Sequence, residues 1–87
     1  MGLDSVELLI EIEEAFEINI SNLEASRIIT VGHYYQTIKR KKGAPFYAEI
    51  EEDPLYQQLV ALICEKLGVS PEDISADTNL VKDLGLD

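Results

Sequence analysis

Asp53-Pro54-Leu55-Tyr56-Gln57-Gln58-Leu59-Val60-Ala61-Leu62-Ile63-Cys64-Glu65-Lys66-Leu67-Gly68 reads as one helix with both of its ends written into the sequence. Aspartate is a cap residue, and proline suits the first helical position because a first-turn N–H has no intrahelical partner to lose. Leu55, Leu59, Leu62, Ile63 and Leu67 recur at three- and four-residue spacing, the period of an α-helix rather than of a strand. Gly68 is the expected stop. Tyr56, Val60 and Cys64 border the apolar face four residues apart, so Cys64 is expected as a small core residue without chemistry.

Toward the N-terminus, residues 41–52 combine Gly43, Pro45 and acids around Phe46-Tyr47, the composition of a linker lying partly on the surface. Before it, Thr30 is placed to cap a helix from Val31 to about Arg40, with Tyr34, Tyr35 and Ile38 on one face. That helix closes on Lys39, Arg40, Lys41 and Lys42, cations suited to the negative end of a helix dipole. Leu23 to Ile29 holds at most two helical turns. From Ser5, the residues Val6, Leu8, Leu9, Ile12, Ala15 and Phe16 form an apolar stripe, with Glu7, Glu11, Glu14 and Glu17 between them. Ser5 is expected to cap this amphipathic helix, and Asn19 to Asn22 to end it. Beyond Gly68 a long loop runs to Asp87, with Val69, Ile74, Leu80, Val81 and Leu84 available to pin it to a core.

The pattern predicts an all-α fold, a four-helix bundle of three longer helices and one short one. At 87 residues it forms one domain, in which residues 1–40 and 53–87 are joined by the 41–52 linker. Seventeen acids against seven bases give a formal charge of −10, so nucleic-acid phosphates and anionic membranes would repel most of the surface. Basic partners are favoured. The acidity is concentrated, since the first seventeen residues hold six acids and no base. With one cysteine, no run of eighteen apolar residues and no basic start before an apolar stretch, the sequence fits a cytoplasmic protein without a membrane span.

Side-chain catalysis is poorly supplied. His33 is the lone histidine and is expected as a surface or capping residue, Cys64 has no second thiol, and no glycine-rich phosphate loop occurs. Asp73, Asp77 and Asp83 lack the ligand spacing of a helix-flanked calcium loop, so no metal is expected. The protein is not expected to be an enzyme.

One broken motif carries more. The chain ends Asp83-Leu84-Gly85-Leu86-Asp87 and begins Gly2-Leu3-Asp4-Ser5-Val6, which joined would read Asp-Leu-Gly-Leu-Asp-Ser-Val. This resembles the signature of acyl carrier proteins, where a serine after Gly-x-Asp at the head of the second helix carries phosphopantetheine. Val6 to Phe16 with Ile18-Asn19-Ile20 is similar to the family's acidic second helix. Glu24 to Gly32, ending Ile28-Ile29-Thr30-Val31-Gly32, is similar to its short third helix and the cap of its fourth. Residues 54–87, with Leu67-Gly68-Val69 and Pro71-Glu72-Asp73-Ile74, resemble its first helix and long loop. All but about residues 39–53 is covered, in circularly permuted order, and Gly-Leu-Asp at both ends looks like an overlap left by the rearrangement.

The resemblance implies that Ser5 carries a covalent phosphopantetheine arm and that Asp4, expected to help orient the loop, contacts the phosphopantetheinyl transferase. It also implies that Glu7, Ile10, Glu11, Glu13 and Glu14 form a face read by basic acyl-handling synthase enzymes. The cargo would be acyl thioesters, as in fatty acid or polyketide synthesis. One departure is that Ser5 stands about three residues closer to Val6-Glu7-Leu8 than is usual in the family. The competing reading is an acidic helical interaction module without a prosthetic group. A monomer is expected to predominate at low concentration, with a dimer that exchanges halves as the alternative.

Overall fold

The computed structural model describes the backbone of residues 3–86 and the side chains of residues 5–86. Its helices are α1 (Leu3–Phe16), α2 (Asn22–Ser26), α3 (Val31–Lys42) and α4 (Pro54–Leu67), with 3₁₀ turns at Ile50–Glu52 and Pro71–Asp73 and no strand among the described residues. The all-α bundle with one short helix is therefore the observed architecture. α4 packs against both α1 and α3. Leu8 and Ile12 from α1, Val31 and Ile38 from α3, and Leu59 and Ile63 from α4 are completely buried at the centre.

The helix ends follow local chemistry. Asp53 Oδ1 accepts the Leu55 N–H at 2.9 Å, and Gly68 closes α4 at φ 70°, a left-handed conformation that side chains disfavour. Thr30 Oγ1 accepts the His33 N–H at 3.2 Å. His33 in turn accepts the backbone N–H groups of Ile29 and Thr30 on Nδ1, at 3.0 and 3.2 Å. His33 is thus a capping residue. α3 runs to Lys42, two residues past the expected end, before Gly43 turns it at φ 65°.

Three expectations are corrected. α1 begins at Leu3, so Ser5 is inside the helix rather than its cap. Val6 is 39% exposed and Val81 60% exposed, so neither belongs to the core. The reason lies in the helix period: at about 100° per residue, Ser5, Leu8, Leu9, Ile12 and Phe16 fall within one arc of roughly 100°, and Val6 falls outside it. Ser5 thereby sits on the buried stripe.

The loop after α4 is tied to the start of α3 by backbone bonds. The N–H of Val31 donates to Thr78 O at 3.1 Å and that of Gly32 to Ala76 O at 2.8 Å, while Leu80 N donates to Ile29 O at 2.9 Å. First-turn N–H groups that a helix cannot satisfy internally are met here by the loop. A Cβ at Gly32 would lie 2.9 Å from the Ala76 carbonyl oxygen, closer than side-chain carbons approach backbone. Gly32→Ala is expected to displace this loop and destabilise the fold by about 1–3 kcal/mol, as overpacking does. Urea unfolding of the variant measures it. Ile74 and Leu80 are buried, with Val69 and Leu84 half-buried against the core.

The linker is clasped rather than loose. Lys39 Nζ pairs with Asp53 Oδ2 at 2.6 Å and donates to Pro45 O at 3.0 Å, and the Tyr35 hydroxyl donates to the same Asp53 oxygen at 2.6 Å. Lys39 and Asp53 are both buried. Lys41 pairs with Glu24 at 2.9 Å, and Lys42 donates to the Phe16 carbonyl at 2.9 Å. The basic run therefore does more than face a helix dipole. Three of its cations bind specific groups elsewhere in the chain.

Candidate functional site

Ser5 lines a cavity of about 170 Å³ together with Ala25, Ser26, Ile28, Leu80, Val81 and Leu86. The first turn of α1, the short α2 and the last described residues thus meet at one pole of the bundle. Each is delivered there by local structure. α2 is fixed by a capping box, in which Ser21 Oγ accepts the Glu24 N–H and Glu24 Oε1 accepts the Ser21 N–H. The 79–86 turn is held from within: Asn79 Oδ1 accepts the N–H groups of Val81 and Lys82, and Asp83 Oδ2 accepts that of Asn79 at 2.8 Å. Gly85 turns at φ 70°, and Leu86 N donates to Leu80 O at 3.0 Å, which seats Leu86 in the cavity wall.

Ser5 is 6% exposed and Leu86 3%. Leu86 therefore covers Ser5 in this structure. The side chain of Asp4, the second residue assigned to this site, lies outside the described residues.

The acidic face of α1 divides into two parts. Glu7 and Glu11 approach Lys66 of α4 at 2.7 and 4.0 Å, and Glu13 accepts the backbone N–H of Ile20 at 2.9 Å. Ile10 is 47% exposed, and Glu14 and Glu17 are exposed beside it. The outward-facing side chains are therefore Ile10, Glu11, Glu14 and Glu17, while Glu13 has a structural duty as well. Cys64 is half-buried; burial pushes its thiol up from the ordinary value and the charge of Asp73 adds to this, so little reactive thiolate forms. Among the described residues no group of His, Cys, Asp and Glu is arranged to hold a metal ion, and no helix is long and apolar enough to cross a membrane.

Comparison with known proteins gives matches to part of the chain. Residues 57–87 match the model of the phosphopantetheine attachment site family. An acyl carrier protein of Prochlorococcus marinus (strain MIT 9515) is 49% identical over 42 residues, which make up 48% of this chain and 52% of the relative. The chain spans about half the length of the curated relative it matches. No solved structure gives a significant match. The matched family is named for phosphopantetheine attachment and the matched relative for acyl carriage, and each match covers less than half of this chain.

Proposed function

We propose that the chain is an acyl carrier with its segments in circularly permuted order, bearing a phosphopantetheine arm on Ser5 and serving fatty acid or polyketide-type synthesis in the cytoplasm. The observation that supports this reading is that Ser5 and Leu86, one from each fragment of the Asp-Leu-Gly-Leu-Asp-Ser signature, line the same cavity. The family match to residues 57–87, which cover most of α4 and the loop after it, is consistent with that order. When bound, the arm supplies a terminal thiol that holds acyl groups as thioesters. The protein's part is to present Ser5, and Asp4 beside it, to a transferase, and to offer Ile10, Glu14 and Glu17 to basic partner enzymes, with Glu7 and Glu11 at the edge of that face.

Mass spectrometry after incubation with coenzyme A and a phosphopantetheinyl transferase tests the assignment. The expected result is one added arm, mapped to Ser5 by digestion and absent from Ser5→Ala. An adduct on Ser21, Ser26, Ser70 or Ser75 would sink it. For the docking face, Glu14→Lys is expected to weaken binding to a carrier-dependent enzyme several-fold at low salt, with the difference shrinking as the Debye length falls toward about 8 Å at physiological ionic strength. Affinity measured across a salt series checks this.

A second reading has its own observation. Ser5 is covered, which favours an acidic helical interaction module that carries no prosthetic group. The two readings part on the same mass measurement, since no adduct on folded protein would support the module.

A further inference from the structure

Seven bases serve this chain, and in a protein with seventeen acids each has ample choice of partner. Lys39, Lys41 and Lys66 are ion-paired to carboxylates, and Lys42 donates to a backbone carbonyl. Arg27, Arg40 and Lys82 have no carboxylate partner among the described residues. The two arginines come from different helices, Arg27 capping the end of α2 and Arg40 near the end of α3, yet both line one open pocket of about 340 Å³.

His33 lines the same pocket. Its Nδ1 accepts two backbone N–H groups, so the ring proton of the neutral imidazole resides on Nε2 and that nitrogen is a donor. Arg40 spends one N–H on Thr37 Oγ1 at 3.4 Å and retains the others. Glu24 is the one acid in the lining, and its charge is paired with that of Lys41. Its Oε1 accepts the Ser21 N–H and pairs with Lys41, which together hold its carboxyl down at about 2. The pocket is thus a local positive site on a molecule of net charge −10, with donors supplied from three chain positions.

We infer that this pocket between α2 and α3 binds the dianionic phosphate of a small phosphomonoester. Two guanidinium forks and an imidazole N–H match a group with three oxygens to satisfy, and arginine forks suit phosphate in particular. The volume lies at the lower end of the roughly 300–1,000 Å³ typical of small-ligand sites. Because the rest of the surface repels anions, binding is confined to the pocket that these donors line. The inference does not depend on whether Ser5 is modified.

The test is a ¹H–¹⁵N NMR titration of the intact chain with inorganic phosphate and, separately, with glycerol 3-phosphate, with glycerol as the uncharged control. Saturable shifts centred on Arg27, Ile28, His33 and Arg40 are expected with both phosphates and not with glycerol. Arg27→Gln and Arg40→Gln should each weaken binding by about tenfold, the scale of one charge-assisted contact. Both arginines are exposed, so these variants should retain the wild-type spectrum elsewhere. Shifts that do not saturate, or an affinity unchanged in the double variant, would overturn the inference. Much tighter binding of a phosphoserine peptide than of glycerol 3-phosphate would overturn the assignment to a small ligand.

Discussion

Asp53→Ala is expected to lower the stability of the fold by about 3–5 kcal/mol, the usual cost of removing one member of a buried ion pair. The Lys39 ammonium would remain buried without its counter-charge, the Tyr35 hydroxyl would lose its acceptor, and α4 would lose the cap on Leu55. For a domain of this size total stability is roughly 4–13 kcal/mol, so the loss is a large fraction of the whole. Asp53→Asn retains an acceptor and a cap while losing the charge, and should fall between the wild type and Asp53→Ala. Urea midpoints of the three proteins at neutral pH measure the order. A loss below about 1 kcal/mol for Asp53→Ala would mean that the clasp contributes no net stability.

The same group sets a pH dependence. Burial alone would raise the Asp53 carboxyl, but Lys39, Tyr35 and the Leu55 N–H outweigh it and hold the group below the usual carboxylate range. The folded state therefore binds this proton less readily than the unfolded chain. Its contribution is fully present above the unfolded value of about 3.9 and is lost as pH falls through the lower folded value. Unfolding measured from pH 7 downward should show the wild type losing its advantage over Asp53→Asn only below about pH 4.

Leu59→Ala is expected to cost about 2–5 kcal/mol, the range for deleting a fully buried leucine side chain and leaving a partly relaxed cavity. Leu59 lies on the helix that both α1 and α3 pack against, so this substitution weakens the joint between residues 53–87 and the preceding segment. Ile10→Ala, on the exposed side of α1, should change stability by no more than about 0.5 kcal/mol. Chemical denaturation of the two variants distinguishes a shared core from two independently folded segments. If Leu59→Ala and Ile10→Ala behave alike, the halves do not depend on each other.

What the sequence made legible is what local chemistry decides. Asp53-Pro54, Thr30 and Gly68 mark helix ends because caps are satisfied within a few residues, and the structure puts ends where these residues predict. The position of Ser5 was also readable in principle. Its spacing to Leu8, Leu9 and Ile12 is that of the buried stripe, but Asp-Ser before an apolar run is an equally good cap signal, and the start of α1 at Leu3 decides between them. Val81 shows the limit for loops: nothing periodic distinguishes it from Leu80, and only the turn around Asn79 sends one inward and the other out. The partner of Lys39 was not legible, because it lies fourteen residues away across a linker with no repeating pattern. The pairing of Arg27 with Arg40 around one pocket likewise depends on how α2 and α3 are set against each other.

The burial of Lys39 has a further chemical consequence. Its ammonium lies 5.6 Å from the centre of the Tyr35 ring and 5.1 Å from that of Tyr47, roofed by aromatic faces and held by Asp53 and the Pro45 carbonyl. An amine-reactive reagent reaches exposed Lys82 at the rate of a free side chain, but it reaches Lys39 only in molecules whose clasp has come apart. When reclosing is fast relative to labelling, the ratio of the two rates equals the equilibrium constant for that opening. A single native lysine thus serves as a built-in gauge of how often the linker leaves the bundle, readable peptide by peptide without adding any probe to the chain.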